Sequence, residues 1–246
     1  MRIKMIIAYD GTDFSGYQVQ PNGRTVQEEL EQALGKLHKG EAVKVSASGR
    51  TDAKVHAYGQ VIHFDTPLVI PAEKWPKALN TILAKDIRVL EALETTESFH
   101  ARFGATGKEY RYVIDRSAVQ NVFLRNYAYH YPHPLNIEAM RAAAEHLLGT
   151  HDFTAFCSAK TEVVDRVRTI DTIEFSEEGT RLTMSIRGNG FLYNMVRIIM
   201  GTLIDAGTGL TDPEEIPGMI LSGDRRITGK TAPGHGLYLY KVFYDN

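Results

Sequence analysis

The stretch Ser48-Gly49-Arg50-Thr51-Asp52-Ala53-Lys54-Val55-His56-Ala57 sets an arginine and a carboxylate two residues apart in a glycine-started turn. The run before it, 43–47, is small and β-branched, and the run after it, 58–64, is apolar and alternating. Both predict strands, and a loop held between two strands is a fixed platform that presents side chains for chemistry. A carboxylate on such a platform can act as a nucleophile or a base. The loop is too long and too mixed for a simple hairpin turn. The plainer role for Asp52 is an N-cap or an Asx-turn former.

Two further sets of residues could join it. Residues 191–200 are apolar almost all round, which predicts a buried helix, and only Asn194 and Arg197 break the pattern, three apart on one face. A buried guanidinium needs a carboxylate. That partner is either any nearby acid in a structural ion pair or Asp52, which the arginine would keep ionised and aimed. Tyr110 and Tyr112 fall on one face of a predicted strand. They suit core packing, or stacking on an unpaired nucleobase. Gly188-Asn189-Gly190 lets backbone approach closely, to a ligand or to a neighbouring strand.

Other chemistries find no support. Gly223-Asp224-Arg225-Arg226-Ile227-Thr228-Gly229-Lys230-Thr231 matches the letters of a phosphate loop. That loop needs a strand before it and a helix after it, whereas Ala232-Pro233-Gly234-His235-Gly236 cannot start a helix. His130 and His133 lie in a proline-interrupted aromatic run, and no ligand triad has metal-site spacing. No dinucleotide fingerprint and no Ser-His-Asp set is legible. The expected chemistry uses no metal and no organic cofactor.

The bulk properties set the frame. The 246 residues are 43% hydrophobic and 24% charged, normal for a globular protein with a core. A single cysteine, Cys157, excludes an internal disulfide and suits a reducing compartment. The N-terminus lacks a signal-peptide pattern and no run spans a membrane, so a cytoplasmic, soluble protein is expected. The net charge of −2 argues mildly against nucleic acid, yet Arg102, Lys108, Arg111 and Arg116 cluster, as do Arg166 and Arg168, and then Arg225, Arg226 and Lys230.

The elements read twice through one order. In the first half they are a strand at 3–9 and a helix from the Thr25-x-x-Glu28 capping box. The two strands flanking the loop follow, then a helix from Pro71 to about Ala84, and a strand at 87–93. In the second half they are a strand at 108–114 and a helix capped by Asn136 and stopped by Gly149. A hairpin turns at Glu178-Gly179, followed by the apolar helix 191–206, a short helix at 213–221 and a strand at 236–244. Each half is β-α-β-β-α-β, the ferredoxin-like order, which gives an α+β protein of two halves, 1–104 and 105–246.

Five ordered blocks make the chain resemble the tRNA pseudouridine synthase A family along its length. They are Tyr9-Asp10-Gly11-Thr12-Asp13-Phe14-Ser15-Gly16-Tyr17-Gln18; the 48–57 stretch; Lys108-Glu109-Tyr110-Arg111-Tyr112; Gly188-Asn189-Gly190-Phe191-Leu192 with Met195-Val196-Arg197; and Thr231-Ala232-Pro233 with Gly236-Leu237-Tyr238-Leu239. The resemblance implies two ferredoxin-like halves whose sheets join around a central cleft, and a homodimer that binds tRNA. It implies cofactor-free conversion of uridine to pseudouridine in the anticodon stem-loop, with the target base flipped out. It also implies that Asp52 is the catalytic carboxylate, Tyr110 packs on the uracil and Arg197 pairs with Asp52. Arg50 helps hold the base out of the stack, and Leu237 lines the pocket. Two residues depart from the family pattern: Lys54 stands where glycine is usual, and Tyr17 where tryptophan is frequent. A lysine there either alters the loop backbone or adds a phosphate contact. The competing readings are a non-catalytic RNA-binding module on the same scaffold and a paralogue with altered RNA substrate.

Overall fold

The computed structural model describes residues 1–158 and 163–245. It is a mixed α+β protein whose strands pair mostly antiparallel. Its contacts divide it into two compact units: Met1–Thr106 with the chain from Tyr238 onward, and Gly107–Leu237. The strand that ends the chain, placed on sequence in 105–246, belongs to the N-terminal unit. The cause is a pairing distant in sequence: β10 (Leu237–Tyr244) runs parallel to β3 (His56–Asp65), with Tyr238 opposite His56.

In the N-terminal unit, β1 (Arg2–Tyr9) buries Ile3, Met5 and Ile7 at alternate positions. It pairs antiparallel with β3 on one side and with β4 (Ile87–Thr95) on the other. Ile3 lies opposite Phe64 and Met5 opposite Ile62, so the strand period assembles one apolar face. α1 (Val26–Leu37) begins where the capping box predicts, with the Thr25 hydroxyl accepting the Glu28 amide at 3.4 Å, and buries Val26, Leu30, Ala33 and Leu34. α2 (Trp75–Asn80) is shorter than the expected helix. Its last side chain turns away to bond both backbone groups of Val89, at 2.8 Å each. Trp75 meets Phe64 edge-on, with ring centres 5.3 Å apart. The strand expected at 43–47 shrinks to β2 (Ser46–Ala47), because a carboxylate of α1 competes for the chain: Glu31 accepts the Val45 amide and pairs with Lys44.

In the second unit, β5 (Ala105–Asp115) pairs with β9 (Arg181–Gly188). β9 pairs with β8 (Val167–Glu178), and β8 with β7 (Gly149–Asp152), all antiparallel. β7 and the two-residue β6 (Tyr129–His130) are absent from the sequence reading, being short and polar. α3 (Ile137–Glu145) is capped by Asn136 as expected, but it ends before Leu147, and Gly149 opens β7 instead of stopping a helix. α4 (Met195–Gly207) starts four residues later than the apolar run, because Asn194 sits at φ +62° and a left-handed residue cannot continue the helix. α5 (Ile216–Ser222) follows a 3-10 turn.

The phosphate-loop lookalike has a structural explanation. A helix precedes it, a 3-10 turn, Arg225–Ile227, lies within it, and a second 3-10 turn after it, Gly234–Gly236, leads into β10 rather than a helix. Its glycine instead packs on α4. A Cβ on Gly229 would lie 2.4 Å from the Thr202 amide nitrogen, and the Gly229 N–H donates to the Thr202 hydroxyl at 2.9 Å. Gly201 of α4 is equally tight, since a Cβ there would overlap the Lys230 carbonyl oxygen. Gly201→Ala should therefore destabilise the protein by about 2–3 kcal/mol, read as a lower urea midpoint. An unchanged midpoint would show that the 229–231 segment yields freely.

Candidate active site

The loop between β2 and β3, residues 48–55, is held at several points. Ser48 is buried, with its amide on the Val61 carbonyl at 2.8 Å and its hydroxyl on Gln60 Oε1 at 2.7 Å. Gln60 in turn donates to the Gly49 carbonyl at 2.8 Å. The buried Thr51 hydroxyl shares a 2.8 Å hydrogen bond with the Tyr9 phenol, and its carbonyl accepts the Tyr17 amide at 3.0 Å. The Lys54 amide reaches the Phe14 carbonyl, and the Val55 amide closes a turn onto the Asp52 carbonyl. Two glycines of the 9–18 segment complete the seat. A Cβ on Gly11 would fall 2.1 Å from the Val55 oxygen, and Gly16, at φ +114°, lies against the Thr51 carbonyl.

His56, where the loop enters β3, is buried. Its Nδ1 lies 3.0 Å from the Gly11 amide and 3.2 Å from Asp10 Oδ1, and its ring stacks on Tyr238 with centres 4.7 Å apart. Burial pushes the Tyr9 phenol up to about 12, against its hydrogen bonds to Thr51 and Gln60, so it is a neutral partner at any physiological pH. The Tyr17 phenol is also raised, chiefly by burial, and its hydroxyl is buried without a hydrogen-bond partner among the described residues. What this seat leaves at the surface is chemistry: Asp52 is half-buried and Arg50 exposed.

The remaining sequence-selected residues lie in the second unit. Tyr110 and Tyr112, equivalent by strand period, have different surroundings. Tyr112 is wholly buried and donates its hydroxyl to the Pro233 carbonyl at 2.8 Å, and its phenol is raised by burial against the Arg197 charge. Tyr110 keeps 8% of its surface and meets Phe191 edge-on at 5.3 Å. Arg197 is half-buried, not enclosed by its helix. Its Nε donates to the Ala232 carbonyl and its Nη1 to Asn194 Oδ1, each at 2.7 Å, and the Ala232 amide returns to the Arg197 carbonyl at 3.0 Å. Leu237 is buried at the start of β10, next to Gly236, whose backbone lies against the Tyr112 ring. So Arg50 and Asp52 share one loop of the N-terminal unit, whereas Tyr110, Arg197 and Leu237 belong to the second.

Reading residues in sequence missed the seat itself: Tyr9, Gly11, Phe14 and Gln60 were given no role. Gly11 and Gly16, set inside an aromatic and acidic block, were the available signal. Elsewhere, an open groove of about 850 Å³ runs along α1, but Glu28, Glu31 and Glu41 line it and no residue of the loop does. Among the described residues no cluster of three or more His, Cys, Asp or Glu could hold a metal ion, and no helix is long and apolar enough to cross a membrane.

Comparison with known proteins decides the family. A model described as tRNA pseudouridine synthase matches residues 5–104 and 143–245. The chain belongs to the tRNA pseudouridine synthase family. It is 59% identical over 247 residues to tRNA pseudouridine synthase A of Bacillus pumilus and 58% identical over 247 residues to that of Bacillus subtilis, each over 100% of both chains. It is 60% identical over 245 residues to that of Anoxybacillus flavithermus, covering 100% of this chain and 99% of the relative. A solved archaeal box H/ACA sRNP Nop10-Cbf5 complex overlaps 82% of this chain and 43% of that chain at 12% identity, with a TM-score of 0.37, too loose to carry any argument. The pseudouridine synthase family is one of isomerases, whose product has the composition of its substrate.

The seat gives the first test of this synthase. Gly11→Ala drives a methyl group into the Val55 carbonyl and should displace the loop. Pseudouridine formation should fall at least tenfold while the circular dichroism spectrum stays that of the parent. Parent-level turnover would show that the loop does not depend on this contact.

Proposed function

We propose that this synthase converts uridine to pseudouridine in the anticodon stem-loop of tRNA, with Asp52 as the catalytic carboxylate. The observation that carries the reading is the seat of the 48–55 loop, which fixes the backbone on both sides of Asp52 and leaves its side chain half-buried. A carboxylate in that setting is oriented before substrate arrives, which is where much of a positioning effect originates. The reaction breaks the bond from ribose C1′ to uracil N1, turns the base, and joins C1′ to C5. C5 loses a proton and N1 gains one, so no oxidant and no cofactor enters.

The other residues take roles by family correspondence. Tyr110 packs on the uracil, and Arg50, exposed on the same loop as Asp52, holds the base out of its stack. Arg197, fixed by Ala232 and Asn194, supplies the positive charge that keeps the catalytic carboxylate ionised. Leu237 lines the pocket. The ferredoxin-like description of two halves belongs to the same proposal. It is supported by the order β4-β1-β3-β2 in the N-terminal unit, all antiparallel, and by β5-β9-β8 in the second. A cytoplasmic homodimer is part of it too. Val119, Val122 and Phe123 are exposed apolar residues in the β5–β6 connection of the second unit, and a second copy is the occupant proposed for them.

Two experiments test this. The protein alone, incubated with an unmodified tRNA transcript, should produce carbodiimide-dependent, alkali-resistant reverse-transcription stops in the anticodon stem-loop. Asp52→Asn should bind the transcript but form no pseudouridine. Binding by the parent without any stop would favour a non-catalytic RNA-binding module, and stops elsewhere would favour a paralogue with another substrate. In the second experiment, sedimentation equilibrium should give twice the chain mass, shifting toward the single chain in Phe123→Glu. A monomeric parent would remove the dimer from the proposal.

A further inference from the structure

Lys54 occupies the left-handed region at φ +65°, in the loop that carries Asp52. That conformation crowds the Cβ of an L-residue against its own backbone and is comfortable for glycine. Neighbouring backbone holds the loop at that angle. The Lys54 amide is tied to the Phe14 carbonyl, and Gly11 packs so closely on the peptide after it that a Cβ there would lie 3.0 Å from the Lys54 carbonyl carbon. The surroundings therefore impose the strained angle on whatever residue stands at 54. The side chain gains nothing visible within the fold, since it is exposed and makes no hydrogen bond or ion pair among the described residues. A strained residue in a catalytic loop whose side chain serves no internal contact points to a contact outside the protein.

We propose that the Lys54 ammonium binds a backbone phosphate of the RNA beside the target uridine. The proposal rests on the pseudouridine synthase reading for its ligand and deepens it by adding a residue to the RNA contact. An ammonium is a compact charge on a flexible stem, suited to a phosphodiester and indifferent to base identity. The contact would then add affinity and hold the strand in register over the loop, without choosing the sequence. Lys39 provides an internal control. It too is a lysine at positive φ, +54°, and exposed, but it lies after α1, outside the 48–55 loop.

The test is equilibrium binding of an unmodified tRNA transcript across a salt series, with every protein carrying Asp52→Asn so that the RNA is not turned over. Lys54→Gly and Lys54→Asn both tolerate the backbone angle and lack the charge. Each should weaken binding about three- to tenfold at 0.1 M salt and lower the slope of log Kd against log salt by about one. Lys54→Arg and Lys39→Gly should keep the parent slope. Relief of strain should raise Tm by about 2 °C in both glycine variants. A parent slope in Lys54→Gly and Lys54→Asn, or a slope lost equally in Lys54→Arg, would overturn the phosphate contact. Failure of the enzyme reading is distinguishable: it shows as absent pseudouridine with the unsubstituted chain, which keeps Asp52, whatever the salt slopes.

Discussion

Thr51 is bonded twice to the segment that precedes α1, through its hydroxyl to Tyr9 and through its carbonyl to the Tyr17 amide. The candidate site depends on that double attachment. Ordering a loop costs about 1–2 kcal/mol per residue in backbone entropy, whereas a hydrogen bond contributes about 1 kcal/mol net. A single tether could not hold residues 48–55 in one conformation. The loop is fixed because its constraints act together: buried polar groups at Ser48, Thr51 and Gln60, the amides of Lys54 and Val55, and two glycines that let the 9–18 backbone lie against it. Removing any buried partner leaves a desolvated polar group behind, which costs more than the bond contributed.

The second unit uses the same physical device around Arg197. The helix α4 is buried along most of its length, and Gly201 admits the backbone at Lys230 to near contact. The segment that begins there continues to Ala232, whose amide and carbonyl both bond Arg197, and to Pro233, whose carbonyl takes the Tyr112 hydroxyl. A left-handed Asn194 ends the irregular stretch before the helix and turns its amide oxygen onto the same guanidinium. Close backbone packing thus places a charged group at a set position without requiring it to be fully buried, where desolvation would be severe.

Much of this was legible in the residues. The Thr25 and Asn136 caps, the alternation of Ile3, Met5 and Ile7, and the Gly179 turn of the hairpin are local rules written in local sequence, and the structure follows them. The misreadings have a common origin in competition from distant groups. Glu31 took the backbone of 43–45 from its strand, Asn80 left its helix for Val89, and Asn194 delayed α4 by a turn. Strand period gave Tyr110 and Tyr112 the same face, but it could not say that Pro233 would claim one hydroxyl and bury that ring completely.

By itself the sequence determined the family, through ordered blocks of residues, and the existence of most elements, through caps, periods and turns that act over a few positions. It also marked Asp52 and Lys54 as neighbours in one loop. Only tertiary structure decided that the block around Gly11 and Gly16 is the seat of that loop, that the last strand lies beside β3, and that Lys54 must adopt a glycine's backbone angle. The physical reason is the same in each case. These outcomes are set by van der Waals exclusion and hydrogen-bond pairing between segments far apart in the chain, and such pairings have no periodicity along the sequence from which to read them.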